Sequence, residues 1–301
     1  IIPAALVITA RFREQRGTAL GIAFAGIPLG GTGMSIVAGQ VVKHGGFRAG
    51  YIAMGLPILL LVIPLLAVCV RTSGAEEKGA AQGEAGESTP GLEVREALRS
   101  RSFWMIAIAE VLFAVAGVGL RVHLVPFLTG VGYSPTLAAG ILSATFVFSA
   151  IGTFAAGPVA DKLGGRTTLG LVFITAAAGI AALLGASHAV AVAGFILIFG
   201  LTAETPAAIF PMVVAESLGV RRFGAFLGLL ALCRTLGFAF GPVIAGRIFD
   251  RSGTYTGALF LFVALEVISM LVVRATLPLS EEKARVEAGQ AGHAQPAATS
   301  F

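Results

Sequence analysis

Charged residues are scarce in this sequence. Only 12% of its 301 residues are Asp, Glu, Lys or Arg, and 56% are hydrophobic, whereas a soluble globular chain has about 25% charged residues. A water-soluble protein cannot bury so much apolar surface, so the composition excludes the soluble classes and indicates an integral membrane protein. The 40 glycines suit helices that pack closely in lipid, where small residues let backbones approach.

Cysteine is also scarce, and motifs for catalysis are missing. Cys69 and Cys233 lie inside apolar runs, where thiols usually behave as small hydrophobes. The sequence has no phosphate-binding G-x-x-x-x-G-K-[ST] loop, no metal-ligand cluster and no recognisable Ser/His/Asp arrangement. The net charge of +5 comes from short loops rather than from one basic face. We therefore expect no enzyme activity, cofactor, metal site or nucleic-acid partner.

Apolar runs long enough to cross a bilayer recur along the chain. A spanning helix needs about 20 mostly apolar residues, which predicts an all-α membrane fold. Eight stretches meet the requirement: 18–42, 49–70, 103–128, 137–160, 167–186, 190–214, 223–248 and 255–276.

The remaining segments connect or flank these spans. Residues 1–10 have the composition of the end of a further helix, and residues 71–102 are rich in Gly, Glu, Ala and Ser, which indicates a solvated linker. A short interfacial helix is predicted over residues 91–99, and residues 277–301 are predicted to be a disordered tail. Most of the 21 Lys and Arg residues fall on the side of the linker and tail, which the positive-inside rule places in the cytoplasm.

The sequence repeats part of itself at an offset of 207 residues. In the two copies, Gly17, Gly21, Gly30, Ala38 and Gly39 fall on Gly224, Gly228, Gly237, Ala245 and Gly246. Parallel repeats of this kind predict two like bundles with a binding site between them near the midplane of the membrane. Residues 1–70 would then be the remainder of a first bundle, and residues 103–276 a second bundle of six helices.

The segment GPVADKLGGR, from Gly157 to Arg166, resembles the major facilitator superfamily signature G-x-L-A-D-[RK]-x-G-R-R. The segment REQRGTALG from residue 13 resembles the family's loop before helix five, and GFRAGY from residue 46 its turn before helix six. HLVPFL from residue 123 and GPVIAGRIFDRSGTY from residue 241 are similar to the monocarboxylate-porter and oxalate/formate-antiporter branch.

The resemblance implies an N-terminally truncated major facilitator fold. The eight spans would be helices five to twelve, and residues 1–10 the end of helix four. The resemblance also implies that the signature loop is a cytoplasmic latch, formed by Gly157, Asp161, Lys162, Gly164 and Arg166. The glycines permit a tight reversal, and Asp161 can accept hydrogen bonds from a neighbouring helix N-terminus or an Arg. The alternative is a charged turn that only sets topology.

Arg234 is the first candidate for a substrate-binding residue. A charge buried in hydrocarbon costs upward of about 2.5 kcal/mol, so an ionisable residue within a span suggests a functional site. Arg234 shares a helical face with Gly237 and Gly241, which would leave room for a ligand carboxylate to reach the guanidinium. The alternative is a structural ion pair with a Glu.

Two glutamates are candidates for proton coupling. Glu204 lies in a span weakened by Pro206 and Pro211, where it would line the substrate site and carry a coupling proton, or else neutralise Arg234. Glu110 lies about two turns inside the third span, as a second proton site or as a structural residue.

Three other ionisable residues lie in the apolar spans or at their ends. Arg121 and His123 are predicted at the outer mouth, where they would attract anions or sense pH, or else be ordinary surface residues. Glu266, in the last span, is expected to be structural.

The features together predict a secondary transporter that works as a monomer in the plasma (inner) membrane of a bacterium. It would carry a small organic anion, such as a monocarboxylate, by alternating access, coupled to protons or by exchange. Two alternatives remain: a carrier that exports drugs or other lipophilic compounds, and a membrane sensor or inactive fragment that transports nothing.

Overall fold

A computed structural model of the chain describes residues 2–12, 14–65 and 91–285. These residues are almost entirely helical, and they form no β-strand. Ten α-helices are named here in chain order: α1 Ile2–Arg11, α2 Arg16–Pro57, α3 Val94–Ala97, α4 Arg101–Val131, α5 Pro135–Leu163, α6 Gly165–Ala182, α7 Ala189–Gly200, α8 Thr205–Ser217, α9 Phe223–Ser252 and α10 Thr256–Arg274. A π-helical turn, Ile58–Val62, continues α2.

Caps define the ends of several helices. Ser100 and Ser134 accept hydrogen bonds from the backbone N–H groups of Phe103 and Leu137, which satisfies the first turns of α4 and α5. Helix α4 ends at Gly132 in the left-handed conformation, with φ 113°, where a glycine has no steric penalty. The predicted interfacial helix over 91–99 corresponds to the single turn of α3.

Two predicted spans differ from the observed helices. The first two form one long element, α2, with a single non-helical residue at Gly46 (φ 71°, ψ 179°). The span predicted over 190–214 is divided between α7 and α8, because Pro206 lies at the start of α8 and its ring would clash with the carbonyl four residues earlier. Glu204 therefore lies at the N-terminus of α8 rather than in the middle of a continuous helix.

Eight spans were predicted, and seven of the observed helical segments meet the length and hydropathy of a membrane span. Seven helical segments among the described residues are long and apolar enough to span a bilayer, namely 45–65, 101–131, 135–163, 165–185, 189–217, 223–252 and 256–274. The stretch 18–42 is helical, yet it is not among the seven. Residues 66–90 and 286–301, which include most of the predicted linker and tail, lie outside the described part of the chain.

Helix α4 is the centre of the packing. It contacts α9 along much of its length and α10 on another side, while α10 also packs against α6. Helix α2 packs mainly against α5. The charged side chains of α4 therefore face several helices, and two of them contribute to the candidate site.

Candidate functional site

The break between α7 and α8 brings Glu204 to Arg121. The carboxylate of Glu204 forms a hydrogen-bonded ion pair with the guanidinium of Arg121 on α4. The Glu204 backbone N–H donates to the hydroxyl of Ser149 on α5, at 2.9 Å. The two charged side chains remain 16% and 23% exposed, so the protein does not fully enclose this pair.

Arg234 on α9 faces a different carboxylate, Glu110 on α4. Its Nη1 lies 3.9 Å from Glu110 Oε2, which is an ion pair but too long for a hydrogen bond. The guanidinium also lies over the Phe238 ring, 5.9 Å from its centroid. The Arg234 side chain is 23% exposed, whereas that of Glu110 is 3% exposed, and Glu110 Oε2 has no hydrogen-bond partner among the described residues.

These pairings bear on two expectations. The alternative in which Glu204 neutralises Arg234 is wrong, because the helix break directs Glu204 to Arg121 and leaves Glu110 beside Arg234. Arg121, which was expected to attract anions at the outer mouth, is paired with Glu204 in this structure. The two positions on α4 are separated by eleven residues, or about 16 Å of helix rise, so the chain places two separate pairs along one helix.

Gly237 and Gly241 do not open space for a ligand, contrary to the prediction. Both are buried against α4. A Cβ on Gly237 would lie 2.6 Å from both the Cβ of Ala114 and the carbonyl oxygen of Val111, and one on Gly241 would collide with the Val115 carbonyl. Their role in this structure is to let α9 and α4 pack closely.

His123 is part of an ordered cluster at the far end of α4. Its Nε2 lies 3.0 Å from the Pro242 carbonyl oxygen and its Nδ1 lies 3.1 Å from the Tyr255 hydroxyl. A neutral imidazole satisfies both contacts when Nε2 donates and Nδ1 accepts. These two contacts connect α4 with α9 and with the start of α10.

A residue of the signature loop, Asp161, is hydrogen-bonded to the start of α2 and holds α5 against it. The Gly17 N–H, the Thr18 N–H and the Thr18 hydroxyl donate to the Asp161 carboxylate at 2.6 Å, 2.8 Å and 2.6 Å. Gly157 packs directly against the backbone of Gly17 and Thr18, because a Cβ on Gly157 would be 2.8 Å from the Thr18 Cα. Asp161 therefore accepts from a helix N-terminus, one of the two arrangements considered for it.

The other members of the signature loop differ in their surroundings. Gly164 adopts φ 82° and ψ 154°, which reverses the chain between α5 and α6. Arg166 donates to the Thr276 carbonyl after α10. Lys162 is exposed.

Two carboxylates near this loop were missed by the sequence analysis. Glu216 accepts from the Gly165 N–H at 2.9 Å, at the N-terminus of α6. Glu282 accepts from the Arg101 N–H at 2.9 Å and from the Ser102 hydroxyl at 2.6 Å, at the N-terminus of α4. Their partners lie 51 and 180 or more residues away in sequence, so no local pattern pointed to them.

The chain matches the profile of a known protein family. The sequence matches the profile described as Major Facilitator Superfamily over residues 1–203 and, in an overlapping match, over 124–300. Together these matches cover nearly the whole chain, and each covers more than half of it.

Individual relatives are distant in sequence. The chain is 24% identical over 278 residues to monocarboxylate transporter 13 of Bos taurus, which covers 92% of this chain and 63% of that protein. It is 25% identical over 280 residues to the oxalate:formate antiporter of Oxalobacter formigenes, covering 90% and 65%. A transporter of Gibberella moniliformis is 27% identical over 260 residues, covering 84% and 59%. The chain thus spans less than two thirds of each of these proteins.

Solved structures share the fold. The E. coli fucose:proton symporter matches with a TM-score of 0.69 at 13% identity, over 91% of this chain and 72% of the symporter chain. A second structure of the symporter, in the outward conformation, matches with a TM-score of 0.64 at 14% identity, over 91% and 71%. The helices described above thus have the same arrangement as the corresponding part of a solved membrane transporter.

Proposed function

Because the chain belongs to the Major Facilitator Superfamily, we propose that it is the larger part of a secondary carrier for a small organic anion. Transport would proceed by alternating access, with two bundles rocking about a site near the membrane midplane. The observation that carries the proposal is the loose pair of Arg234 and Glu110, two opposite charges 3.9 Å apart within the membrane-spanning helices.

Arg234 is suited to bind a carboxylate because its own partner does not use its hydrogen-bonding capacity. An arginine presents donors in a planar fork that matches a carboxylate in a bidentate manner, and at 3.9 Å Glu110 accepts no hydrogen bond from it. The partial exposure of Arg234 gives a ligand a route to the guanidinium. A ligand carboxylate would thus gain short hydrogen bonds that the resting pair lacks.

Glu110 supplies a means of coupling. When an anionic ligand takes over Arg234, the deeply buried Glu110 loses its counter-charge, and an unpaired carboxylate in such surroundings is costly. Uptake of a proton by Glu110 removes that cost. Ligand and proton would therefore enter together, which is symport, while an exchange cycle would replace one anion by another at Arg234 without the proton step.

The names of two relatives support this substrate class. The oxalate:formate antiporter and monocarboxylate transporter 13 carry names that specify carboxylates. At 24% and 25% identity, these names support the chemical class of a small organic anion.

The cytoplasmic contacts favour a latch role for Asp161. Its three hydrogen bonds tie α5, in the proposed second bundle (103–276), to α2, in the proposed remainder of the first (1–70). Opening the carrier on that side requires these bonds to break.

The proposal includes a cytoplasmic linker and tail and a monomeric carrier in the plasma membrane. Impermeant thiol labelling of cysteines placed at the exposed positions Lys162 and Arg251 tests the orientation, because only the first should react from the cytoplasmic side.

Uptake by purified protein in proteoliposomes tests the anion hypothesis. A panel of labelled mono- and dicarboxylates is compared with lipophilic cations, with and without a pH gradient. The R234Q variant should lose about 100-fold in carboxylate uptake, because it removes the guanidinium from the proposed pair with the ligand carboxylate. Removing one partner of a buried, hydrogen-bonded charge pair costs about 2–5 kcal/mol. The matched control is R251Q, at an exposed arginine on the same helix.

The outcomes separate the candidate functions. Retained carboxylate uptake in R234Q would overturn the role of Arg234. Uptake of lipophilic cations alone, unaffected by R234Q, would support the drug-carrier alternative. No uptake of any compound by the wild-type chain would support the alternative of a membrane sensor or inactive fragment.

A further inference from the structure

Arg121 is held through one nitrogen and has hydrogen-bond donors to spare. Its Nη1 donates to the carboxylate of Glu204. An arginine carries five N–H donors in a planar fork, and within the described part of the chain Arg121 has no other hydrogen-bond partner. Its side chain is 16% exposed. Arg121 therefore keeps binding capacity that the carrier cycle proposed above does not use.

The second nitrogen of the guanidinium, Nη2, lies over Gly117, one turn earlier on α4. The three nearest atoms to a Cβ on Gly117 would be Arg121 Nη2 at 3.8 Å and two carbons of the Phe113 ring at 3.8 Å and 3.9 Å, all from α4 itself. Gly117 is buried, yet these are ordinary contact distances. A Cβ on Gly119, by contrast, would lie 2.6 Å from the Phe262 ring of α10. The structure thus leaves room beside the guanidinium that α10 fills at Gly119.

Gly117 and Arg121 share a face of α4 with Glu110. They follow it at spacings of seven and eleven residues, which correspond to about two and three helical turns, so the three residues lie in one row along the helix. Nη2 of Arg121, beside Gly117, is therefore about 10 Å of helix rise from Glu110. Because Glu110 is the partner of Arg234, the two guanidinium groups follow each other along one face of α4.

The charge of Glu204 is shared between Arg121 and helix α8. Glu204 is the N-cap residue of this helix of 13 residues, and the positive end of a helix dipole stabilises a negative charge there. The Glu204 backbone N–H donates to the Ser149 hydroxyl at 2.9 Å, which fixes the start of α8. An anion beside Nη2 would therefore meet an arginine whose counter-ion is already partly compensated.

We infer that Arg121 is a second binding position for the carboxylate group of the transported anion, an inference that rests on the proposed anion-carrier function. The ligand carboxylate accepts from Nη2 over Gly117, while Glu204 keeps Nη1 and acts as a positioning residue. An anion that enters from the C-terminal end of α4 reaches Arg121 first. It then moves about 10 Å along α4 to Arg234.

Uptake kinetics in proteoliposomes test this position, with labelled propionate and oxalate as the probes. In R121Q the KM should rise about tenfold, because one charge-assisted hydrogen bond to the ligand is lost, while kcat stays within about twofold because Arg234 is intact. R121K keeps the charge and should restore part of the affinity.

A second variant leaves the ion pair in place. In G117L the new side chain fills the space beside Nη2 and should raise KM to a similar extent, although Arg121 and Glu204 are unchanged. The control G140L makes the same substitution at an exposed glycine of α5, where a Cβ meets no atom within 4 Å, and it should leave KM unchanged.

The outcomes separate this inference from the carrier proposal. An unchanged KM in G117L overturns the second position, even if R121Q does not fold. A fall in kcat at unchanged KM in R121Q also overturns it, because that result belongs to a purely structural ion pair. Failure of the anion-carrier proposal would appear instead as absence of carboxylate uptake in the wild type, or as uptake that R234Q leaves intact, and it would remove the second position as well.

Discussion

The carboxylates at the ends of the helices differ sharply from those inside the membrane-spanning segments. Asp161, Glu216 and Glu282 each accept hydrogen bonds from backbone N–H groups at the start of another helix. These N–H groups have no partner within their own helices, and the helix dipole favours a negative charge there. Each of the three carboxylates therefore holds two elements together.

The carboxylates inside the membrane-spanning segments have arginines as partners or no hydrogen bond among the described residues. Glu204 is paired with Arg121, Glu110 lies 3.9 Å from Arg234, and Glu266 has no hydrogen-bond partner within that part of the chain. Polar groups in such surroundings are usually fully bonded. The first set of carboxylates therefore braces pairs of elements, whereas the second set includes Glu110, the proton site of the proposed carrier cycle.

The largest effect should come from depriving Arg121 of the carboxylate that pairs with it. The variant E204Q should lose about 2 kcal/mol of stability. This is less than the roughly 3–5 kcal/mol for breaking a fully buried pair, because Arg121 keeps 16% of its side-chain exposure.

Thermal unfolding in detergent measures this loss, with E281Q, a change at an exposed glutamate, as the matched control. Equal stability of E204Q and E281Q would mean that the pair with Arg121 does not stabilise the fold, and the contrast between the two sets of carboxylates would then rest on Glu110 and Glu266.

A smaller effect is expected at the latch. D161N keeps the shape of the side chain but removes its charge, and charge-assisted hydrogen bonds contribute about 1.5–3 kcal/mol each. Because an amide can still accept one or two of the three bonds, the contact between α5 and α2 should lose only about 1.4 kcal/mol, a tenfold shift.

Labelling of a buried cysteine measures that shift. Ala160 is fully buried beneath Gly17, and A160C in a background lacking Cys69 and Cys233 should react with a maleimide about tenfold faster when D161N is added. The control is K162Q, at the exposed neighbour. Equal rates in D161N and K162Q would remove Asp161 from the closure of this side.

The family, the all-helical membrane fold and most span positions could be predicted from the sequence. Hydropathy and the signature around Asp161 are patterns of neighbouring residues, so they can be recognised in a single sequence without an alignment of homologues. The ion-pair partners could not be predicted, because Glu204 and Arg121 are 83 residues apart and meet only through the helix break at Pro206. Gly237 and Gly241 were expected to face a ligand because they share a helical face with Arg234. The same helical spacing fits a face that packs against another helix equally well.

The smallest effect should occur at Glu282, where the segment after α10 meets the start of α4. E282Q retains an amide oxygen that can accept from the Arg101 N–H. It loses the charge beside the helix N-terminus, and its NH2 group replaces the short bond from the Ser102 hydroxyl with a weaker bond to that hydroxyl. The expected loss is about 1 kcal/mol, because one of two bonds is replaced by a weaker one. Limited proteolysis after residue 276 measures it, with E281Q as the exposed neighbour that should have no effect. Equal protection in both variants would show that Glu282 does not hold this segment, and that its hydrogen bonds at the start of α4 contribute less to bracing than those of Asp161.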